Sequence, residues 1–242
     1  MLHHTRGIVF RQVKYSETSL IVKIYTRLFG IQSYIIRGVR SKKSATKPAL
    51  LQPLTPVEII VHRRENRNIQ QLKEIKIAFP LKSIPFDIRK SSVIVFLNEI
   101  LNNVINEEEQ NPDLFDFLYN SIQALDNMEK GIAGYHLLFL LRLSRHLGFF
   151  PNNNYSDQEP VFNLQEGNFT HQQLPESHGI SLPYSAYFSS LITHSTVEEA
   201  DVHLSAQVRS GLLESILRYY YFHVPGMKGI KSHHVLQTVL ND

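Results

Sequence analysis

Short runs in which apolar and other side chains alternate occupy the first 80 residues of the chain. In the clearest run Leu20, Val22 and Ile24 fall on one side, and a period of two is typical of a β-strand. Strands are predicted over residues 7–13, 19–26, 31–37, 55–62 and 69–77. Five short strands are too few for a two-sheet sandwich and suit a small closed barrel, with the oligonucleotide-binding fold as the leading candidate.

The apolar period changes to that of a helix beyond residue 86. Between Phe86 and Ile105 apolar side chains recur every three or four positions. Asn111 followed by Pro112 is typical of a helix N-cap and the first helical position. Helices are predicted over residues 86–105, 112–125, 132–147, 184–193, 198–223 and 232–240.

A stretch rich in Asn, Gln, Pro and Gly, residues 151–183, interrupts the helical pattern. Within it, VFNL and NFTH flank the turn sequence QEG and predict a hairpin. The expected architecture is therefore α+β, with an oligonucleotide-binding barrel, an all-helical domain and a small hairpin insertion. The expected boundaries are 1–80 for the barrel, 81–150 with 184–242 for the helical domain, and 151–183 for the insertion.

Charge is distributed unevenly between these parts. Residues 1–80 hold 15 Lys and Arg against 4 Asp and Glu, whereas residues 81–242 hold 10 against 18. No carboxylate lies between Glu17 and Glu58, although solvated surfaces normally intersperse both signs. The cations of this gap are Lys23, Arg27, Arg37, Arg40, Lys42, Lys43 and Lys47. The pattern favours binding of a polyanion over an ordinary charged face.

Nucleic acid is the polyanion whose recognition these residue types suit. Phosphates need rows of cations, and sequence-neutral binding of single strands adds aromatic faces on which bases stack. Much of the charge falls in residues 36–53, the expected connection between the third and fourth strands. The candidate nucleic-acid-binding residues are Arg11, Lys14, Lys23, Arg37, Arg40, Lys42, Lys43, Lys47, Tyr25 and Tyr34.

Signatures of catalysis are weak. The chain has no glycine-rich phosphate loop, no nucleophile elbow and no HExxH, and its 12 histidines lack metal-ligand spacing. We therefore expect a protein that is not an enzyme and carries no cofactor or metal. Zero cysteines, no secretory signal and no run of 18 apolar residues predict a cytoplasmic protein with no membrane association.

Other function classes remain open on the residues alone. An RNA-binding or ribosome-associated barrel module would use the 2′-OH to discriminate RNA from DNA. A nuclease would need a divalent metal and a carboxylate cluster, but the basic module offers only Glu17, Glu58, Glu65 and Glu74. An interaction-only protein would have no nucleic-acid affinity even at low salt.

Several motifs, taken in order, carry a family resemblance. They are Tyr15-Ser16-Glu17-Thr18-Ser19-Leu20, Thr26 to Gly30, Arg37-Gly38-Val39-Arg40 with Ser44, and Leu51-Gln52-Pro53-Leu54. Downstream, FLNEIL (96–101), NPDLFDFL (111–118), LSRHLGFFP (143–151) and YYFHVPGMKGIKSHHVL (220–236) continue the agreement. Together they resemble the bacterial recombination mediator family RecO over nearly the whole chain.

The resemblance implies a role in DNA repair at the bacterial nucleoid. Members of the family bind single- and double-stranded DNA and anneal complementary strands. With RecR and RecF they help load RecA recombinase on DNA coated by the single-stranded-DNA-binding protein (SSB), whose acidic, apolar C-terminal tail they recognise through the helical domain. The cations available for such a tail here are Arg142, Arg145, Lys228 and Lys231. Pairing of the two arginines with acids such as Glu129 or Glu214 is the competing interpretation.

One departure from the family is plain. Many relatives carry four cysteines of a zinc ribbon after the segment that here reads GFFP, but this chain continues PNNNYSDQEPVFNL with no cysteine. The hairpin is therefore expected to be a metal-free remnant of that ribbon, held by packing alone.

Overall fold

The computed structural model describes residues 2–39, 48–64, 66–106, 108–193 and 204–241. Its N-terminal part is a closed barrel. Four of its five strands lie within one residue of the predicted bounds, whereas the first strand begins at Leu2, five residues before the predicted start. The strands are β1 (Leu2–Lys14), β2 (Leu20–Thr26), β3 (Gly30–Ile36), β4 (Pro56–His62) and β5 (Ile69–Ile77).

The order of strands around the barrel is β1-β2-β3-β5-β4, closing on β1. The long β1 makes this closure possible, because its first half pairs with β4 and its second half with β2. The β3–β5 pair is parallel and short, from Ser33 opposite Ile69 to Ile35 opposite Gln71. A five-stranded closed barrel with this order has the architecture of the oligonucleotide-binding fold, as the strand pattern predicted.

The barrel core follows directly from the alternation in sequence. Val22 and Ile24 of β2 and Val57, Ile59 and Val61 of β4 are all almost fully buried. A short 3-10 turn, Pro48–Leu51, lies in the β3–β4 connection and contributes two further leucines, Leu50 and Leu51, to the same core.

Two helices follow the barrel: α1 (Ile88–Val104) and α2 (Pro112–Asn127). The Asn111 side chain accepts a hydrogen bond from Leu114 N at 3.0 Å, which makes Asn111 the N-cap that the Asn-Pro pair predicted. From α2, Phe115 packs on Tyr25 of the barrel wall and Asp116 pairs with Arg27. These contacts attach the start of α2 to the barrel.

By contacts, the chain forms two compact units. The first comprises residues 1–86 and 94–123, and the second comprises residues 87–93 and 124–242. The first unit therefore includes most of α1 and α2, in addition to the barrel. The boundary predicted from the sequence, near residue 80, separates the strands from the helices and differs from this division. That residue 80 is a domain boundary stays a prediction.

The second unit is built around α3 (Ile132–His146), which is buried on nearly every side. It is accompanied by α4 (Tyr184–Thr193), α5 (Ala206–His223) and α6 (Ser232–Asn241). Tyr220 of α5 donates a hydrogen bond to Leu140 O at 2.6 Å, so its buried hydroxyl has an acceptor inside the core. In the described part of the chain, no helix has both the length and the apolar character needed to cross a bilayer.

The insertion forms a small three-stranded sheet in the order β7-β6-β8. Its strands are β6 (Val161–Asn163), β7 (Asn168–Thr170) and β8 (Gly179–Ile180). The β6–β7 hairpin confirms the hairpin expected around Gln165-Glu166-Gly167, and β8 was not expected. Phe162 packs against both Phe188 of α4 and Tyr219 of α5, which anchors the sheet to the helices.

Candidate nucleic-acid interface

The candidate interface is the outer surface of the wall formed by the second half of β1 with β2 and β3. Val22 and Ile24 point into the core, so Lys23 between them points outward. The strand register places Lys23 directly between Arg11 of β1 and Ser33 of β3. We call this wall the basic face, defined by Arg11, Val13, Ile21, Lys23, Ser33 and Ile35.

The next row of the basic face is apolar. Val13 lies opposite Ile21, and Ile21 lies opposite Ile35. Val13 is 46% exposed, and the two isoleucines are half-buried. The wall therefore offers cations beside an apolar surface, a combination that suits both the phosphates and the bases of a single strand.

Arg11 and Lys23 form a cross-strand pair of like charge. Like charges directly opposite each other destabilise a sheet, and neutralising them would favour the folded state. Among the described residues, no carboxylate lies within salt-bridge distance of either side chain. An anion bound across the pair would remove the repulsion, and phosphate is the anion that such a pair suits.

Lys14 and Arg37 lie at one end of the basic face. Leu20 is paired with Ile36, so the turn after β1 and the residue after β3 are brought to the same end of the barrel. Both cations are exposed. The four predicted cations that the structure describes, Arg11, Lys14, Lys23 and Arg37, thus belong to one wall and its rim.

Tyr15 is the exposed aromatic residue at that rim, and it is missing from the predicted interface residues. Tyr15 N bonds to Ser19 O at 3.0 Å, and Ser19 N bonds to the Ser16 hydroxyl at 3.2 Å, so the turn is ordered by its own hydrogen bonds. Tyr15 as a whole is 62% exposed. The sequence feature that could have identified Tyr15 was its position in the turn after a basic strand, because the side chains of such a turn lie on the surface.

Tyr25 and Tyr34 were predicted to stack on bases, and the structure contradicts both predictions. Each is 1% exposed. Tyr25 points outward but is covered by Phe10 and Phe115, with ring centroids 5.8 and 6.0 Å away. Tyr34 points into the barrel, and burial raises the pKa of its hydroxyl above the ordinary value. Neither ring is accessible to a base.

Four of the predicted cations, Arg40, Lys42, Lys43 and Lys47, lie outside the described residues. Their contribution to the interface stays a prediction. The connection that carries them begins at Arg37 and Gly38, directly beside the basic face. Gly38 has φ of 71°, a left-handed conformation that favours glycine where the chain leaves β3.

Two family models together match nearly the whole chain. The model for the N-terminal part of recombination protein O matches residues 1–81, and the model for its C-terminal part matches residues 85–232. The chain belongs to the RecO family of DNA repair proteins. The family resemblance read from the motifs is thereby confirmed.

Similar proteins of the RecO family agree over their full length. The DNA repair protein RecO of Flavobacterium psychrophilum is 37% identical over 249 residues, with 98% of each chain covered. The RecO proteins of Azobacteroides pseudotrichonymphae and Bacteroides fragilis are 32% and 36% identical, and each match covers 100% of both chains.

The resemblance to RecO also predicted that four cations, Arg142, Arg145, Lys228 and Lys231, bind the C-terminal tail of a partner protein. Arg142 is buried and Arg145 is exposed, and their guanidinium carbons lie 5.7 and 4.2 Å from the ring centroid of Phe150. Phe150 therefore brings the two arginines together. Lys228 and Lys231 are exposed in the connection between α5 and α6. Which ligand these residues bind stays a prediction.

The described residues offer no set of zinc-ligating side chains like that of the zinc ribbon in many RecO proteins. The chain has no cysteine, and the described residues contain no group of three or more metal-binding side chains. In the insertion, the Asn154 amide accepts from Phe169 N at 2.8 Å and donates to Phe169 O at 2.9 Å. Amide hydrogen bonds and aromatic packing hold this sheet, and its residues do not fit a zinc ion.

Proposed function

We propose that this protein is a non-enzymatic mediator of DNA repair and recombination that binds single- and double-stranded DNA and anneals complementary strands. The observation that carries the proposal is the basic face, where Arg11 and Lys23 lie side by side on an oligonucleotide-binding barrel of a RecO-family chain. Membership of the family supports a DNA repair role, and the chemistry of the face supports DNA as the ligand.

Binding on such a face is mainly electrostatic. Each phosphate that a cation neutralises releases condensed counterions, so affinity falls as salt rises. If about four phosphates of a single strand are engaged by Arg11, Lys14, Lys23 and Arg37, the slope of log K against log salt is about −3. Contacts of this kind discriminate little between sequences, as a general repair factor requires.

Annealing needs no catalytic group in this proposal. Two complementary strands repel each other because both are polyanions, and a cationic surface that holds one strand lowers the repulsion felt by the second. Encounter between the strands then becomes faster, and base pairing supplies the sequence specificity.

The test is a salt titration of fluorescence anisotropy with a labelled oligothymidylate. Replacing Arg11 and Lys23 together by Ala removes two phosphate contacts and is expected to reduce the slope by about 1.4. The matched control replaces Lys76 and Lys130, two exposed lysines outside the basic face, and is expected to leave the slope unchanged. An equal loss in both variants would mean that only the net charge matters, and the proposed site would be wrong.

An RNA-binding module is distinguished in the same assay by competition. A DNA mediator binds DNA at least as tightly as RNA of the same sequence, whereas a dedicated RNA reader uses the 2′-OH and prefers RNA. A clear preference for RNA would contradict the proposed function.

The proposal extends to partners. With RecR and RecF, the protein would help load RecA on DNA coated by SSB, in the bacterial cytoplasm at the nucleoid. The acidic, apolar C-terminal tail of SSB would be recognised by the second unit, where Arg142 and Arg145 flank Phe150. Arginine guanidinium groups suit a terminal carboxylate, and the half-buried ring of Phe150 suits the apolar side chains of the tail.

A labelled tail peptide tests this part. Replacing Arg145 by Ala is expected to weaken peptide binding while single-stranded DNA binding by the barrel stays unchanged. Arg145 is the better position to change because it is exposed, whereas Arg142 is buried and its loss would disturb the core. Unchanged peptide affinity in the Arg145 variant would exclude this site for the tail.

A further inference from the structure

The C-terminal part of the second unit contains a stretch without carboxylates. Residues 215–241 hold no Asp or Glu, whereas residues 124–214 hold ten of them against four Lys and Arg. The same stretch contains Arg218, Lys228 and Lys231, together with three histidines. Because solvated surfaces normally intersperse both signs, this part of an otherwise acidic unit suits a negatively charged ligand.

Two aromatic side chains are exposed where α5 ends within this stretch. Tyr221 is 43% exposed and Phe222 is 41% exposed, and both belong to the last turn of the helix. Arg218 lies four residues before Phe222, which places it on the same side of α5, about 6 Å away along the helix axis. Single strands bind by stacking their bases on aromatic faces and their phosphates on cations. The end of α5 offers both kinds of contact.

Hydrogen bonds to neutral acceptors orient Arg218. One terminal nitrogen of its guanidinium group donates to Glu176 O, and the other donates to the Ser215 hydroxyl. Among the described residues, no carboxylate lies within salt-bridge distance of Arg218. Its positive charge is therefore available to an anion, and a side chain ordered before binding loses less entropy when a phosphate arrives.

The connection between α5 and α6 brings two lysines to the same place. Ile230 N donates to the Tyr221 hydroxyl at 3.2 Å, so the connection folds back onto the last turn of α5. Lys231 follows Ile230 directly and Lys228 lies two residues before it, and both lysines are exposed. We call the surface formed by Arg218, Tyr221, Phe222, Lys228 and Lys231 the α5 corner.

We infer that the α5 corner is a second binding site for single-stranded nucleic acid, which holds the second strand during annealing. The three cations of the corner contact phosphates, and its two rings stack on bases. The inference rests on the proposed function, because it names where the complementary strand binds. A chain that holds one strand on the barrel and the other on the second unit makes their encounter intramolecular, which raises their effective concentration.

An acidic peptide is the competing ligand for the α5 corner. Its carboxylates would also suit Lys228 and Lys231, which the family resemblance assigned to the tail of SSB. A peptide with apolar side chains needs a groove with an apolar floor. At the corner, however, about two-fifths of each aromatic side chain is exposed at the end of a helix. Exposed rings favour stacking of bases, so the peptide is included in the test as the alternative.

Counting the oligonucleotides bound to the full chain tests the inference. A labelled oligothymidylate of about 8 nucleotides, within the range of about 4–16 that one barrel occupies, is titrated by anisotropy. The unaltered protein is expected to bind two oligonucleotides per chain. Replacing Lys228 and Lys231 together by Ala removes two phosphate contacts and should weaken one of the two sites by about 25-fold at about 0.1 M salt. The other site should keep its affinity.

A change of ring separates stacking from charge. Phe222→Ala is expected to weaken the same site by about 5-fold to 150-fold, whereas Phe222→Trp retains an aromatic face and should retain the affinity. Annealing of bare complementary strands should slow in the lysine variant and in Phe222→Ala, although the barrel still binds its strand. Urea unfolding of each variant shows that the second unit has stayed folded.

Two control variants exclude a general effect of charge. Replacing Lys76 and Lys130 by Ala removes the same charge from exposed positions elsewhere and should leave both sites unchanged. Replacing Arg145 by Ala, the change proposed to weaken binding of the SSB tail, should also leave both sites unchanged.

The outcomes separate this inference from the proposed function. If the unaltered protein bound no oligonucleotide, the proposed function would be wrong, and the inference with it. One oligonucleotide per chain, or two whose affinities the lysine and Phe222 variants leave unchanged, would overturn the inference alone. Loss of affinity for a tail peptide in the lysine variant, with both oligonucleotide sites unchanged, would assign the α5 corner to the peptide and likewise overturn it.

Discussion

Two tyrosines ten residues apart give a sharp test of how the barrel is used. Tyr15 lies exposed at the rim of the basic face, whereas Tyr25 is buried beneath α2. Stacking of one base on an aromatic ring is worth about 1–3 kcal/mol. Tyr15→Ala is therefore expected to weaken binding of single-stranded DNA by about 5-fold to 150-fold. Its free energy of unfolding should change by less than about 0.5 kcal/mol, because the ring contributes little to packing.

Tyr25→Ala is expected to have the opposite effect. The ring fills the space between Phe10 and Phe115, and removal of a buried aromatic side chain costs about 3–5 kcal/mol of stability. Binding per folded molecule should stay unchanged, because no base reaches the ring. Tyr25→Phe retains the ring and loses the hydroxyl whose hydrogen bond to Asn111 O is 3.4 Å long, so its cost should be below about 1 kcal/mol.

Urea unfolding measures the stability of each variant, and anisotropy with an oligothymidylate, corrected for the folded fraction, measures binding. Binding by Tyr15→Ala as tight as that of the unaltered protein would refute base stacking at the rim. Loss of DNA affinity in Tyr25→Phe, which stays folded, would refute a purely structural role for Tyr25.

Three further predictions concern stability. Burial lowers the pKa of His136 to about 3, so the native state excludes a proton that the unfolded chain accepts below about pH 6.5. His136 should therefore make the protein less stable as pH falls from about 6.5 towards 3, and His136→Gln should flatten that part of a urea-unfolding pH series. Asn154→Ala removes the hydrogen bonds to Phe169 and should cost about 1–3 kcal/mol, while a metal chelator should leave the melting temperature unchanged; a chelator-dependent melt would contradict the metal-free insertion. Gly7→Ala would place a Cβ 2.5 Å from Ile24 Cγ2 inside the barrel and should cost about 1–3 kcal/mol in thermal or urea unfolding; an unchanged stability would show that the barrel can accommodate the methyl group.

The sequence predicted the strands well because one face of each strand is the barrel core. In β2 the alternation of Val22 and Ile24 with Lys23 is strong enough to give both the period and the outward direction of the lysine. The start of α2 after Asn111 was equally predictable from the sequence, because an N-cap residue and the proline that follows it are local features.

The aromatic residues were misassigned because local alternation cannot show what covers an outward face. On β3 the outward positions Ile31 and Ile35 are as apolar as the inward Tyr34 and Ile36, so the pattern does not distinguish the two sides. Tyr25 does point away from the core, but α2, some 90 residues further along the chain, covers it. β8 was missed because Gly179–Ile180 is too short to show a period.

Annealing of complementary DNA precoated with SSB tests the central claim most directly, because the proposed function assigns the DNA to the barrel and the SSB tail to the second unit. Full-length SSB and SSB lacking its last few residues are compared. A mediator of the RecO type is expected to anneal strands coated with full-length SSB. The annealing rate should fall strongly when the SSB tail is removed. With full-length SSB it should also fall strongly when Arg11 and Lys23 of the mediator are both replaced by Ala. Failure of the unaltered protein to anneal SSB-coated strands, or a rate indifferent to both changes, would contradict the account.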